Sequence, residues 1–390
     1  MTTLYLLEPA EPGPTWIPFH GARPLAEARA GAWLIRERWS GVLGGLEAEA
    51  ILGTHALDFV DTGSPPVVPP FPVAGPAIIA ASWFAPSGAP VELAPDTRRL
   101  VHEEVTVAWI VAEGETWAGA EDVTGRAQPV DGLLLHGAYD LVTALEHLLP
   151  PDCADFLTEA SDPIPDGSIV LGDPTDVILL GAHVEPGVIF DVRQGVVVLE
   201  DGVVVRAGAR LEGPLYVGAG SAILGGIIRQ SVIGPQCRVH GEITSCIFLG
   251  YANKSHDGFV GHSVIGQWVN LGAGTITSNL KNTYGPIRLD LPDGRVDTGR
   301  MFLGTLFGDH VKTAIGTLLG TGTVLGAGAH LFGPGPVPRY VAPFAWGMTG
   351  ERLAVDPFVT IAGRVMPRRQ VELTAEREAS LRALHRRLAR

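Results

Sequence analysis

The chain has three cysteines in 390 residues, Cys153, Cys237 and Cys246, with no C-x-x-C spacing. This argues against a disulfide scaffold or a cysteine-based metal site and leaves buried or free thiols in a reducing compartment. Positive charge is also scarce: 28 Lys and Arg stand against 42 Asp and Glu, for a formal net charge of −14. The basic face that phosphate neutralisation needs is missing, so nucleic acid is not an expected partner. No stretch approaches the roughly 20 apolar residues of a spanning helix. The opening "MTTLYLLEPAEPGPTW" has no basic segment ahead of a long apolar run, as a signal peptide would. The expectation is a cytoplasmic protein that does not enter a membrane.

Glycine and proline are plentiful. Fifty Gly and 31 Pro alternate with Val, Ile and Leu in a chain that is 46% hydrophobic, with a mean hydropathy of +0.23. Such alternation predicts many short strands and tight turns around buried cores. The composition changes near residue 160. Before it, "LAEARAGAWLIRERW" (Leu25–Trp39) and "AYDLVTALEHLLP" (Ala138–Pro150) carry helical spacing, while "GPAIIAASWFA" and "TVAWIVAE" read as buried strands. This mixture predicts an α/β domain with a largely parallel sheet over 1–160. The Pro-, Asp- and Gly-rich segment 161–178 reads as a linker.

Beyond the linker a period of six appears. Leu199, Val205, Leu211, Val217 and Ile223 are evenly spaced; the beat slips to Ile227, resumes at Ile233 and Val239, slips to Ile243 and continues to Leu249. Ile265 and Leu271 follow, and later Leu319, Leu325 and Leu331. A hexapeptide period predicts a β-helix over 179–350. Each unit supplies one short strand and one turn, with an aliphatic side chain pointing inward. Three units close a triangular coil, and coils stack at about 4.8 Å. No coil buries its apolar face alone, so several must stack and the ends must be covered. The tail 351–390, with "RRQVELTAEREASLRALHRRLAR", predicts an amphipathic helix capping the last coil. A β-sandwich would not need the six-residue beat. "GTGTVLGAG" (Gly320–Gly328) lies within the beat with no following helix, so its glycines read as turn residues rather than a dinucleotide fingerprint.

The hexapeptide pattern resembles the left-handed parallel β-helix of the hexapeptide acyltransferases. The order α/β first, β-helix second resembles the bifunctional N-acetylglucosamine-1-phosphate uridyltransferase/glucosamine-1-phosphate N-acetyltransferase family. The closer likeness is to its divergent sugar nucleotidyltransferase-like branch, through "ARPLAEARAGAWLIRERW" (Ala22–Trp39), "GYANKSHDGFVGHSVIGQWVNLGAG", "SNLKNTYG" and "GTLFGDHVKTAIGTLLGTGTVLGAGAHLFG". It implies an α/β nucleotidyltransferase-like (GT-A/Rossmann-like) domain followed by a left-handed β-helix. The implied reactions are acetyl transfer from acetyl-CoA to an amino-sugar 1-phosphate such as glucosamine-1-phosphate, and uridylyl transfer from UTP giving UDP-N-acetylglucosamine or a similar nucleotide sugar. Mg²⁺ and a homotrimer with active sites between subunits are implied as well.

Acetyl transfer to an amine needs a base for the ammonium proton, a donor for the oxyanion and a groove for the thioester. In the family a loop histidine lies ten residues before the Gly of an I-G step, followed by V-N-(I/L)-G-A-G. By that register His256 becomes the general base, Asn270 binds the sugar phosphate or the amine, and Ala273 offers backbone to the acetyl group. Asn279 matches the asparagine near the pantetheine. Where the family has aromatic residues, this chain has Leu280 and Phe259, the latter lacking a tyrosine hydroxyl. Lys254, Lys281 and Arg288 read either as positive charge for a phosphate or the coenzyme A nucleotide, or as solvated surface charge. His262 reads as a turn residue facing solvent, and no carboxylate or cysteine stands at ligand spacing to make a metal site of it and His256.

Nucleotidyl transfer needs support for a triphosphate and carboxylates for Mg²⁺. The family's glycine-rich opening loop is replaced by "HGARPLAEARAG". Arg23 and Arg29 are candidates for the triphosphate, with Pro24 starting a helix aimed at anions; an ordinary amphipathic surface helix is the competing reading. Asp140 in "AYDLV" either ligates Mg²⁺ or caps a helix. The alternative to the bifunctional reading is a monofunctional sugar-phosphate nucleotidyltransferase whose β-helix serves oligomerisation or regulation. A non-catalytic scaffold is the third.

Overall fold

The computed structural model describes residues 2–119 and 123–389. The N-terminal part is built on a seven-stranded sheet in the order 126–129, 97–102, 105–111, 77–81, 3–7, 48–52, 67–68. The run 77–81, 3–7, 48–52, 67–68 is parallel throughout. The expected parallel character stops at Val105–Val111, which runs antiparallel to both neighbours. The cause is local. Only Glu103 and Glu104 join Thr97–His102 to Val105–Val111, with φ of 46° and 68°, a connection that permits a hairpin and no crossover.

The helix expected over Leu25–Trp39 forms only in part. Leu25–Glu27 is a 3-10 turn, Arg29–Ala30 pairs with Trp33–Leu34, and the first α-helix, α1, spans Ile35–Val42. Gly31 reverses the chain with φ +69°, and a Cβ there would strike the Asp152 carboxylate and the Arg38 guanidinium. The helix expected near Ala138–Pro150 is α2, Asp140–Ala154.

The β-helix follows as a prism with three faces. The first face is a nine-stranded parallel sheet from Val177–Leu179 to Tyr340–Val341. The second contains His183–Val184, Val204–Val205, Ala222–Ile223, Arg238–Val239 and Asn253–Lys254, and continues through bridges to Asn270 and Lys312. The third runs from Ile169–Leu171 to Phe259–Gly261, with Ile276–Thr277 paired to Leu318–Leu319 further along. Strand Ile169–Leu171 pairs with Ile189–Asp191, so the first coil already lies within the segment read as a linker. The interior holds Leu199, Val205, Leu211, Val217, Ile223, Ile233, Val239, Ile243, Ile265, Leu271, Leu319, Leu325 and Leu331. Of the two slips, Ile243 is inward as expected and Ile227 is not, its neighbour Ile228 pointing inward instead; further along, Phe248 takes the inward place expected of Leu249.

The first face is buried on both sides. Its outward residues Ile178, Val198, Tyr216, Val232, Ile247, Val264, Leu306 and Val324 share one apolar core with Leu4, Trp39 and Leu145 of the N-terminal domain. The two parts therefore lie side by side, which explains why these strands are apolar at successive positions instead of alternating. The C-terminal residues form two helices, α3 Val355–Val365 and α4 Ala375–Leu388. They pack against one edge of the prism and against Ala22 rather than over the last coil alone. Tyr251, Trp268, His310 and Phe344 line that edge in left-handed conformations (φ 56° to 63°). Tyr251 and Trp268 stack at 4.4 Å, and Phe344 meets Phe358 of α3 and His385 of α4 at 4.9 and 4.5 Å. An aromatic row there is a surface that an amphipathic helix can cover.

Candidate active site on one edge of the prism

Lys254 occupies an inward position. Its backbone is in register with Val239, so its side chain enters the prism where the preceding coils place an aliphatic. It is 1% exposed. Its Nζ donates to the His240 carbonyl at 3.0 Å and to the His256 carbonyl. Gly241 and Gly258 leave room for the ammonium: a Cβ on them would lie 3.1 and 3.5 Å from Nζ. Burial pushes the Lys254 pKa down to about 8. The expected surface cluster of positive charge thus loses this member. Lys254 ties down the loop that carries His256.

His256 itself is exposed, at the turn between the second and third faces. Asn253 begins the same strand, and its Nδ2 donates to Asn270 Oδ1 at 2.9 Å while Ser255 Oγ donates to Asn253 Oδ1 at 2.6 Å. The Gly274 amide donates to the Asp257 carbonyl at 3.0 Å, and the Gly316 amide donates to the Ala273 carbonyl at 2.7 Å. These bonds stack His256, Ala273 and Ile315 along one edge on successive coils. The structure therefore brings His256, Asn270 and Ala273 together.

Asn279 lies at the far side of the third face. There its Nδ2 is 2.8 Å from His262 Nδ1, and the His262 ring stacks on Phe302 at 5.0 Å. His262 is a turn residue as expected, with φ 47°, but its ring is largely covered and burial pushes its pKa down to about 4. Lys281 Nζ donates to the Pro286 carbonyl, and Arg288 faces Asp297 at 3.4 Å on the hairpin Arg288–Leu291/Gly294–Asp297. Both stay near Asn279 in sequence and away from the His256 edge.

The N-terminal candidates have internal partners. Arg23 is buried, with Nη2 3.1 Å from Asp309 of the β-helix, Nη1 donating to the Glu27 carbonyl at 3.0 Å, and its guanidinium 5.3 Å from the Phe59 ring. Arg29 is buried and donates to the Ala32 carbonyl. The turn begun by Pro24 does offer amides to an anion, and the anion is internal: Glu8 accepts from Leu25 and Ala26 at 2.8 and 3.1 Å. Asp140 accepts the His136 amide at 2.8 Å and pairs with Arg300 at 2.7 Å. Its carboxylate does not fit Mg²⁺ ligation, and among the described residues no group of three His, Cys, Asp or Glu side chains converges. Sequence reasoning missed Glu8, whose signal was an acid closing the apolar strand Thr3–Leu7.

The fold and this edge define a protein that couples an α/β domain to a hexapeptide-repeat β-helix. No family model matches the chain. A bifunctional sugar-1-phosphate nucleotidylyltransferase/acetyltransferase of Sulfurisphaera tokodaii is 33% identical over 96 residues, 25% of this chain and 24% of that protein. The bifunctional protein GlmU of Methanocaldococcus jannaschii is 36% identical over 74 residues, 19% and 18% of the two chains. That of Methanococcus vannielii is 35% identical over 92 residues, 22% of each. The chain is thus related to bifunctional sugar-phosphate nucleotidyltransferase/acetyltransferases, and the matches span about a fifth to a quarter of those relatives' length.

Proposed function

We propose that the protein is a transferase moving an acetyl group from acetyl-CoA to the amine of an amino-sugar 1-phosphate, glucosamine-1-phosphate being the first candidate. The observation that carries this reading is the convergence of His256, Asn270 and Ala273 on one edge, with the His256 loop held from inside by Lys254. His256 takes a proton from the attacking ammonium group. That proton passes to solvent; the neutral nitrogen adds to the thioester carbonyl, and as the C–S bond breaks the nitrogen gives up a second proton, which the departing thiolate receives, leaving the amide and coenzyme A as the thiol. Asn270 orients the acceptor. The Ala273 carbonyl is engaged by Gly316, so its N–H is the group it can offer the acetyl oxygen.

The same edge calls for a second copy of the chain. Ile315 is 80% exposed and Leu318 67%, with Ile276 beside Leu318. This apolar strip adjoins the His256 edge, and a neighbouring subunit of a homotrimer would cover it and wall the thioester groove. The uridylyl-transfer half, giving UDP-N-acetylglucosamine, draws its support from the relatives' names. Arg23, Arg29 and Asp140 do not add to it, since each has an internal partner. The test is coenzyme A release from acetyl-CoA with glucosamine-1-phosphate, wild type beside His256→Ala. Release by the wild type and near-silence in the variant are expected. Silence in both would move the reading to a nucleotidyltransferase with a structural β-helix.

A further inference from the structure

A cleft of about 450 Å³ opens between α1 and the carboxyl end of α2, with Pro86, Ser87 and Gly88 along one side. Four carboxylates line it, Glu37 and Glu47 from the α1 side and Asp152 and Asp155 from α2, against a single cation, Arg38. Arg38 is already committed: it is buried and donates to the Ala30 and Pro86 carbonyls and to Asp152 Oδ2. Glu37 lies 3.6 Å from Arg36, whose closer partner is Glu27 at 2.8 Å. Glu47 and Asp155 are exposed, and Glu47 accepts from Ser40 Oγ at 3.3 Å.

Three observations give this acidity a direction. Asp152 is 5% exposed, and its Oδ2 takes both the Ala32 amide at 2.8 Å and Arg38, while its Oδ1 accepts from none of the described residues and borders the cleft. α2 ends here with Asp152 and Asp155 and no basic residue in its last turn, although the carboxyl end of a helix carries partial negative charge and favours cations. The cleft also has an apolar wall, Trp33, Val42 and Pro86. The Trp33 ring is held in place, stacked on Phe156 at 5.5 Å and meeting Tyr216 at 5.8 Å, and an indole face suits an ammonium group and the methylenes beside it. A compact metal ion does not fit, because among the described residues no three His, Cys, Asp or Glu side chains converge. Carboxylate pairs on two separate helices match a flexible chain that carries an ammonium group at each end.

We infer that the cleft between α1 and α2 binds an aliphatic polyamine, its ammonium groups on the two carboxylate pairs and its methylenes against Trp33. The site is independent of the acetyl-transfer reading, since it shares no residue with the His256 edge.

The test is isothermal titration of the full-length protein with spermidine, beside 1,6-hexanediol, which has a chain without charge, and Mg²⁺, which has charge without a chain. Saturable binding of spermidine, none of hexanediol, and no displacement of spermidine by Mg²⁺ at equal ionic strength are expected. Glu47→Gln combined with Asp155→Asn should weaken spermidine about tenfold, with the unliganded melting temperature unchanged because both residues are exposed. Glu113→Gln, on the turn at the opposite end of strand Ala77–Ala81, removes the same kind of charge and should leave binding as it is. Absence of spermidine binding would overturn the inference. Displacement by Mg²⁺, or equal weakening by Glu113→Gln and by the double variant, would overturn it too, since either reports only the net negative charge of the chain.

Discussion

Replacing Lys254 by Met tests how the His256 edge is built. Met fills the same space inside the prism but cannot donate to the carbonyls of His240 and His256. Two opposing terms follow. Each carbonyl left without a donor costs about 1–3 kcal/mol. Against this, wild type bears the burial of an ammonium whose pKa falls from 10.5 to about 8; at about 1.4 kcal/mol per unit this is at most on the order of 3 kcal/mol, less wherever water reaches Nζ. The net stability change should therefore be small, within about 2 kcal/mol by urea unfolding. Activity should not be spared. The loop carrying His256 loses its internal tether, and a displacement near 1 Å costs about 100-fold in rate, so kcat should fall at least tenfold while KM for acetyl-CoA moves little.

The pH dependence of stability gives a second reading of the same variant. The folded-state pKa of Lys254 lies below the unfolded one, so between pH 8 and 10.5 the unfolded chain holds more protons. Wild-type stability should rise with pH across that window relative to Lys254→Met, by up to about 1.4 kcal/mol per pH unit. Lys312, whose pKa is also pushed down to about 8 by burial, titrates in both proteins and cancels in the comparison. A stability difference that is flat with pH, together with an unchanged kcat, would refute the role assigned to Lys254.

Three further outcomes follow from the same structure. His256→Ala should lower acetyl transfer by about 10²–10⁴, the usual worth of a general base, with an unchanged melting temperature because His256 is exposed. Ile315→Glu combined with Leu318→Glu should convert a trimer to monomers in sedimentation equilibrium at micromolar concentration; a monomeric wild type would contradict the subunit-interface reading. Arg23→Met leaves Asp309 buried without its partner across the two domains, so it should destabilise by about 3–5 kcal/mol, and Arg23→Met with Asp309→Leu should recover much of that in urea unfolding.

The β-helix was legible because its inward positions are nearly all aliphatic and most coils are of similar length, the excursion between Ile265 and Phe307 that carries the hairpin Arg288–Leu291/Gly294–Asp297 being the exception. At Ile227 and Leu249 the beat is off by one, because a shorter turn moves the inward position to Ile228 and Phe248. The side-by-side packing of the domains was written in the doubled aliphatics of the first face, such as Val197–Leu199 and Leu215–Val217, but a six-residue beat records only the inward residue. As a phosphate-binding or as a solvated charge, Lys254 is expected at the surface, because charge usually is; the structure buries it. Its position one strand after Val239, where an aliphatic was due, was the sign that it points inward. The N-terminal arginines misled for the opposite reason: their partners, Asp309 for Arg23 and the Ala32 carbonyl for Arg29, come from tertiary contacts or a local reversal at Gly31 that helical spacing does not register.

Acetyl transfer, as proposed for the His256 edge, differs from mere binding or hydrolysis of a thioester in where the acetyl carbon ends up. The most direct measurement is NMR of the sugar product after incubation with carbon-13-labelled acetyl-CoA and glucosamine-1-phosphate, wild type beside His256→Ala. A labelled N-acetyl resonance on the sugar is expected in the wild type, and its near-absence in the variant. Label appearing only as free acetate, or equal N-acetyl signals from both proteins, would contradict it.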